Sequence, residues 1–463
     1  MENTKNTGEV IGFKQALLPV VSMAILILLS VIYWDVPIQL ALFFEIAITI
    51  MLAFIWGFNW QEIKEMLFSS FSSIGEVIMI LFLIGMMIGV WIGVGTVPSM
   101  IYYGLQILNP RYFLVLSFIL SSLVSLAVGT AIGTASTIGL ALISIAEGLG
   151  LPLPLVAGAI ISGCYVGDRT SPVSSIANIT AHSAGVNIIE MVKHMLITII
   201  PPFIISLFVY FFIGISGFVE GEEGLEFARI ADLLSNNFFI SGWLLLPPIL
   251  IIGLAIYKTP TLINLMINIF FSLGLGLVFT ERSWSTLLNT MFAGFKADTG
   301  SALLDNILSR GGLTSMLELI SLIIFAVILG GLFERLGILN SILNKLVTGI
   351  KNRGQLITMT IFASIISAML GCNQFLGVFL PGKMMGPKYD DLGVPRRDLG
   401  RALGDSGLIV SPLIPWNVNA LMMTAVLGVD TMQYFKFAYL PLLLPLSSIV
   451  FAFLENNNKM QEK

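Results

Sequence analysis

A carboxylate, hydroxyl groups, a proline and an amide recur in the same order in two distant parts of this sequence. The two motifs are Gly167-Asp168 with Ser171-Pro172 and Asn178, and Gly404-Asp405 with Ser411-Pro412 and Asn417. A charge inside the bilayer costs several kcal/mol, and proline interrupts a helix and frees a backbone carbonyl. Such breaks persist at membrane depth only where they are buried in protein or line a cavity. The paired motifs therefore predict an ion or substrate site.

The oxygen atoms of these motifs suit a hard monovalent cation. A carboxylate in this setting binds a proton or a cation, seldom both, so the competition couples two fluxes. We predict that Asp168 and Asp405 are the proton and Na⁺ carriers. The neutral ligands predicted beside them are Ser171, Ser174, Asn178, Ser411 and Asn417. The structural alternatives are a salt bridge between Asp168 and Arg169, and capping of helix starts by either aspartate.

Two short polar loops interrupt the apolar sequence upstream of the motifs and predict the tips of helical hairpins. They are Gly129-Thr130-Ala131-Ile132-Gly133-Thr134 and Gly371-Cys372-Asn373-Gln374. The side chains predicted to bind a substrate carboxylate or complete a cation shell are Thr130, Thr134, Asn373 and Gln374. The alternative is that these side chains are polar only because they lie at loop tips, and that they bind nothing.

The composition places these motifs in a polytopic membrane protein. Of 463 residues, 56% are hydrophobic and 11% charged, against roughly 25% charged residues in soluble proteins. Two cysteines and two histidines are too few for a disulfide framework or a Cys- or His-rich metal site, and no cofactor is predicted. A net charge of −4 offers no basic surface for nucleic acid.

The chain also matches itself at long offset, which predicts a duplication. The first-half residues that recur are Trp60, Phe68, Phe71, Glu76, Gly89, Trp91, Gly95 and Gly129. Their counterparts, in the same order, are Trp284, Phe292, Phe295, Glu318, Gly331, Phe333, Gly337 and Gly371. We therefore predict an all-α fold of two repeats, each with about five crossings plus a hairpin.

Each hairpin contributes an even number of crossings, so each repeat crosses an odd number of times and the repeats are inverted. The predicted divisions are a tail at 1–14, repeats at 15–217 and 239–454, an acidic external connection at 218–238 and a tail at 455–463. Basic residues then fall inside, with both termini cytoplasmic and the protein in the cell membrane. The basic residues are Lys345, Lys351, Arg353, Lys383, Lys388, Arg396, Arg397 and Arg401.

The remaining ionisable residues are predicted to have structural roles. Glu76 and Glu318 stand at helix starts, where a carboxylate favours the helix dipole. Glu45 and Glu147 are predicted to be interfacial. His194 is also predicted to lie at a helix end, with proton sensing as the alternative.

The second motif, Gly404-Asp405-Ser406-Gly407 through Ser411-Pro412-Leu413-Ile414-Pro415-Trp416-Asn417, resembles a stretch typical of the NhaC-type sodium/proton antiporter family. Gly167-Asp168-Arg169-Thr170-Ser171-Pro172 and Asn178 resemble that family's other motif, and the resemblance covers nearly the whole chain. It implies inverted repeats with hairpins near the site, and exchange of Na⁺ for H⁺ or of carboxylates such as malate and lactate. Sequences of this family often have a further aspartate where Ser175 stands here, and its loss leaves room for a different solute.

We predict a secondary-active transporter, not an enzyme, that exchanges Na⁺ for H⁺ by alternating access. The alternative is a Na⁺- or H⁺-coupled exchanger of small organic anions. The predicted partners are the lipid bilayer and monovalent cations, with small carboxylates and a homodimer left open. An intramembrane aspartyl protease and a passive channel are weaker rivals, because the carboxylates come with cation-ligand amides in a duplicated, Pro-broken framework.

Overall fold

The computed structural model describes residues 11–72, 74–216, 223–280 and 282–461, and these residues form helices, turns and loops without a strand. Glu220 and Glu222 of the predicted acidic connection lie outside the described residues.

The first half contains eleven α-helices within its described residues. They are α1 (Phe13–Leu28), α2 (Ile38–Ile55), α3 (Trp60–Ser72), α4 (Gly75–Val94), α5 (Thr96–Ile107), α6 (Pro110–Val128), α7 (Ala131–Thr134), α8 (Leu140–Gly148), α9 (Leu153–Thr170), α10 (Ser175–Ala184) and α11 (Ile188–Ser216). A π-helical turn, Leu29–Tyr33, extends α1, and another, Ala135–Gly139, joins α7 to α8.

The described part of the second half contains thirteen more. They are α12 (Glu223–Asn237), α13 (Leu246–Ile256), α14 (Thr261–Phe279), α15 (Trp284–Ala293), α16 (Ala302–Leu308), α17 (Leu317–Arg335), α18 (Ile338–Val347), α19 (Arg353–Leu370), α20 (Gln374–Asp391), α21 (Arg396–Leu403), α22 (Val418–Leu427), α23 (Thr431–Tyr434) and α24 (Tyr439–Gln461). A π-helical turn, Gly404–Leu408, extends α21.

The described helices are long and apolar enough for a multi-pass membrane protein. Nine continuous helical segments are able to span a hydrocarbon layer, and three bent helix pairs raise the number to twelve if each is one span. The long helix α11 shows an outward stripe of large apolar side chains that suits lipid, made of Ile197, Ile200, Ile204, Phe208 and Phe212. By contrast, α9 is buried along nearly its whole length.

The order of elements repeats between the halves, as the duplication predicts. Gly95 after α4 and Gly337 after α17 both adopt left-handed backbone, with φ of +93° and +79°. Gly185 and Gly428 end α10 and α22 in the same conformation, with φ of +70° and +67°. The fold is therefore consistent with two repeats, and their opposite orientation in the bilayer stays a prediction.

The helix boundaries differ from the sequence prediction at an equivalent point of the two halves, and α12 and α16 were not predicted either. The sequence predicts one helix over 75–103, but Gly95 ends α4 and α5 starts in a new direction. The counterpart α18 follows Gly337 in the second half and was not predicted. In both places glycine reaches the left-handed region at little cost, and hydropathy alone does not register that turn.

Small residues let α9 lie close to α6. The Gly167 N–H donates to the Ser125 hydroxyl over 3.1 Å, and a side chain at Gly167 would overlap the Ser125 backbone. The second half has a related contact, in which the Gly407 N–H donates to the Ser364 hydroxyl over 2.9 Å. Backbone packed this closely fixes the position of the residue next to each glycine, and those neighbours lie in the two motifs.

Candidate functional site

Asp168 lies in the last turn of α9, where the helix breaks. Ser171 ends that helix with its N–H on the Gly167 carbonyl at 2.8 Å, and Pro172 follows. Ser174 then starts α10, because its hydroxyl accepts the Ala177 N–H over 3.2 Å. The predicted break is confirmed, and it leaves a short non-helical segment between the buried residues Ser171 and Ser174.

The Asp168 carboxylate is 5% exposed and is contacted from two sides. The Ser174 hydroxyl donates to its Oδ1 over 3.5 Å, and the Ala131 backbone N–H, in the first turn of α7, faces the same carboxylate. The hairpin tip and the helix break therefore meet at this side chain. Among the described residues no cation forms an ion pair with Asp168, so its charge is left for a proton or a small cation.

Asp405 is fully buried in the π-helical turn and has a strong partner. Arg169 Nε donates to Asp405 Oδ1 over 2.7 Å, and Arg169 Nη2 reaches the same oxygen. Arg169 Nη2 also donates to the Met195 carbonyl at 3.1 Å and the Thr198 hydroxyl at 3.0 Å. The sequence alternative that paired Arg169 with Asp168 is wrong, because this side chain crosses to the other half.

Ser411 and the second hairpin tip meet in a related way. The Ser411 hydroxyl contacts Gln374 Oε1 at 3.3 Å and the Leu408 carbonyl at 2.8 Å. The phenol of Tyr165, one turn before Asp168 on α9, is buried near both that hydroxyl and the Asp168 carboxylate, and its oxygen forms no hydrogen bond with the described residues. Tyr165 thus lies between the two motifs. Sequence reasoning did not single out Tyr165, because an aromatic residue is ordinary in an apolar helix. Its position depends on how the two halves of the chain pack together.

Three of the predicted neutral ligands, and Asn373 of the second hairpin tip, hold backbone in this conformation. Asn178 donates to the Pro172 and Ser174 carbonyls, and Asn417 donates to the Ala368 carbonyl. The Ser171 hydroxyl donates to the Leu126 carbonyl, and the Asn373 side-chain oxygen accepts the Phe375 N–H. Each side chain supports a break or a hairpin, and Ser174 is the predicted hydroxyl that contacts Asp168.

The threonines of the first hairpin tip form its cap. The Thr130 hydroxyl accepts the Gly133 N–H over 2.9 Å, and the Thr134 hydroxyl donates to the Thr130 carbonyl over 2.8 Å. This cap orients the start of α7 and so aims the Ala131 N–H at Asp168.

A second buried charge cluster was missed by sequence reasoning. Asp398 of α21 accepts from Arg353 Nη2 at 2.7 Å, and its other oxygen lies 2.7 Å from His194 Nε2. Arg401, one turn further along, is fully buried. The sequence grouped Arg353 and Arg401 with loop cations, because residue type alone does not separate a surface cation from one on the inner face of an amphipathic helix.

Glu45 also differs from its prediction. It is fully buried halfway along α2 instead of at an interface, and its Oε1 accepts from the Thr49 hydroxyl at 3.2 Å. The starts of α4 and α17, in contrast, carry Glu76 and Glu318 in their first turns as predicted.

The site's chemistry is that of one buried carboxylate with a hydroxyl donor and a facing backbone N–H, and of a second buried carboxylate held by Arg169. Among the described residues no group of three or more His, Cys, Asp or Glu side chains forms a metal centre.

Comparisons with known proteins agree with this architecture. The model of the Na⁺/H⁺ antiporter family matches residues 163–455, which include both motifs. The chain is 33% identical over 418 residues to the malate-2H(+)/Na(+)-lactate antiporter of Bacillus subtilis (strain 168), covering 90% of this chain and 89% of that protein. It is 32% identical over 401 residues to the Na(+)/H(+) antiporter NhaC of Alkalihalophilus pseudofirmus, covering 86% of each. It is 31% identical over 445 residues to the arginine/ornithine antiporter ArcD of Halobacterium salinarum, covering 96% of this chain and 92% of that protein.

Proposed function

The chain belongs to the Na⁺/H⁺ antiporter family, and from this premise we propose that it exchanges Na⁺ for H⁺ across the cell membrane, with Asp168 as the principal carrier of both ions. In one half-cycle ionised Asp168 takes Na⁺ from one side and the two halves rearrange. In the other half-cycle a proton displaces the cation and the protein returns. The termini are cytoplasmic in this proposal.

The observation that carries the proposal is the environment of Asp168. Its carboxylate is buried, lacks an ion-pair partner among the described residues and sits between a helix break and a hairpin tip. An unpaired buried carboxylate is costly, so it favours occupancy by H⁺ or a cation over an empty charged state. Because one carboxylate does not hold both at full occupancy, the two ions travel in opposite half-cycles.

Asp405 is the second titratable group in the proposal, and Arg169 neutralises it in this conformation. The pair joins the broken helix of the first half to the π-helical turn of the second. We infer that this ion pair holds the halves together while ions reach Asp168 from one side of the membrane. For Asp405 to carry an ion, Arg169 must first be released in another conformation.

The test uses purified protein in proteoliposomes that contain a pH-sensitive dye. Addition of Na⁺, Li⁺ and K⁺ in separate runs, without organic solute, reports cation-evoked proton movement. The proposal expects Na⁺-evoked proton efflux. Proton movement that appears only after malate, lactate or an amino acid is added would overturn Na⁺/H⁺ exchange as the basal activity.

A second candidate is exchange of organic acids coupled to Na⁺ or H⁺. It is favoured by the identity to proteins named as malate/lactate and arginine/ornithine antiporters, at 33% and 31%, which is close to the 32% identity to the NhaC protein. Carboxylate groups are common to all these organic solutes. The same proteoliposomes, loaded with radiolabelled malate or lactate, distinguish the two candidates by counterflow.

A further inference from the structure

An apolar cavity of about 430 Å³ lies between α1 and the second motif. Side chains of α1 form one wall, and the opposite wall contains Met369 and Leu370 at the end of α19 and Pro415 and Trp416 of the motif. None of the described side chains that line the cavity is charged or carries a hydroxyl or amide group. Its volume falls within the range of about 300–1,000 Å³ that is typical of small-molecule sites. The cavity is therefore large enough for a ligand, and its lining favours an apolar one.

The inner wall of this cavity is the junction between the second hairpin tip and the second motif. The Trp416 indole N–H donates to the Met369 carbonyl over 2.8 Å, so this lining residue has no unpaired donor. The Val418 N–H donates to the Cys372 carbonyl over 3.0 Å, which joins the motif to the hairpin a second time. An empty cavity would leave the lining side chains of this junction without contacts on one side.

The cavity opens to the lipid-facing surface at the end of α1. Three of its lining side chains are large, apolar and exposed there, with Leu28 at 57%, Val31 at 41% and Ile32 at 76%. They belong to the spanning segment Phe13–Tyr33. Met23 lines the same cavity and is only 2% exposed. The cavity thus continues from the surface that lipid covers into the protein.

The position and the lining of the cavity determine what fills it. Water is excluded, because a buried water needs about 2–4 polar partners. The medium around a spanning helix is the hydrocarbon of the lipid chains. We propose that an acyl chain of a membrane lipid enters this cavity beside Leu28 and Ile32, packs on Met369 and Trp416, and so supports the second hairpin. This site is separate from the ion carriers and does not depend on which solute is exchanged.

A phospholipid with a photoreactive diazirine on its acyl chain tests the proposal in proteoliposomes that contain the full chain. After illumination, mass spectrometry identifies the labelled residues. Label is expected on Met369 or Trp416 inside the cavity, and also on Phe208 of the outward stripe on α11, which reports ordinary contact with lipid. Label on Phe208 with none on Met369, Leu370 or Trp416 would overturn the proposal.

Two variants of α1 separate entry into the cavity from contact with the protein surface. Ala24→Phe adds a ring at a lining position, so the label inside the cavity is expected to be lost while the label on Phe208 remains. Val21→Phe is the matched control, because Val21 is 48% exposed on the same helix and does not line the cavity. This control is expected to be labelled like the wild type. Unchanged label inside the cavity of Ala24→Phe would contradict the proposed path of the chain.

A second copy of this chain is the competing occupant of the opening. Ile32→Cys tests for it, because the native Cys164 and Cys372 are both buried. The lipid site predicts that Ile32→Cys chains stay monomeric when they are oxidised in proteoliposomes. A disulfide-linked dimer together with an unlabelled cavity would show that protein, not lipid, covers this surface.

Support of the second hairpin also predicts a stability that depends on lipid. Added phospholipid is expected to raise the unfolding temperature of delipidated wild-type protein and of Val21→Phe, and to raise that of Ala24→Phe less, because the new ring already occupies the cavity. Equal increases in wild type and Ala24→Phe would refute the supporting role. Neither assay requires ion flux, so a failure here leaves Na⁺/H⁺ exchange intact, and absence of Na⁺-evoked proton flux leaves the lipid site intact.

Discussion

The buried pair of Arg169 and Asp405 gives a quantitative prediction. Removing one partner of a buried ion pair costs about 3–5 kcal/mol, because the remaining charge stays desolvated without compensation. Arg169→Leu removes both bonds to Asp405, whose Oδ2 already lacks a hydrogen-bond partner among the described residues. We expect this variant to lose about 3–5 kcal/mol of unfolding free energy. Asp405→Leu is expected to lose a similar amount.

The double variant Arg169→Leu with Asp405→Leu tests whether the loss of stability in each single variant comes from the unpaired charge that remains. Replacing a whole buried pair by apolar side chains is close to neutral, and the Thr198 hydroxyl keeps its own bond to the Met195 carbonyl. The double variant is therefore expected to be more stable than either single variant, although it no longer transports if Asp405 is required.

The assay is equilibrium unfolding in mixed micelles titrated with SDS. Arg397→Gln serves as the matched control, because the Arg397 pair with Glu190 is exposed and 3.6 Å long and is worth about 1 kcal/mol or less. A double variant as unstable as the sum of the two single variants would refute the pairing as the source of the stability.

Two further predictions concern the packing and ligands of Asp168. Gly167→Ala places a methyl group on the Ser125 backbone, so α9 must move. We expect this variant to lose Na⁺-evoked proton flux. Full flux in proteoliposomes would contradict the close packing of α9 on α6. Ser174→Ala removes the hydroxyl donor to Asp168 and the cap of α10, so the apparent affinity for Na⁺ is expected to fall about three- to tenfold. Titration of proton flux against Na⁺ measures this change, and an unaltered half-saturation would exclude Ser174 as a ligand.

The sequence was sufficient for the features that depend on residue type and spacing. Apolar runs predicted the spanning helices, and proline after a Gly-Asp pair predicted the break at Ser171. Polar loops between apolar arms predicted the first hairpin, although its second arm begins at Ala131, three residues before the predicted start. These three features are local, because the backbone N–H and C=O groups of a segment in lipid must find hydrogen-bond partners within that segment.

The remaining features depend on which distant segments meet. Arg169 stands next to Asp168 in sequence, yet its side chain bonds Asp405 in the other half. Lys258 lies in the turn between α13 and α14, and its place beside the first hairpin follows from the packing of α13 on that hairpin. Long-range contacts of this kind leave no periodic signal in one sequence.

The most direct test of the account is Na⁺-evoked proton flux in proteoliposomes containing wild-type protein, Asp168→Asn or Asp168→Glu. Asparagine keeps the size of the side chain and removes its ability to exchange a proton for a cation, whereas glutamate keeps that ability. The account predicts no flux in Asp168→Asn, with the protein folded and inserted, and measurable flux with altered Na⁺ affinity in Asp168→Glu. Wild-type flux in Asp168→Asn would contradict it.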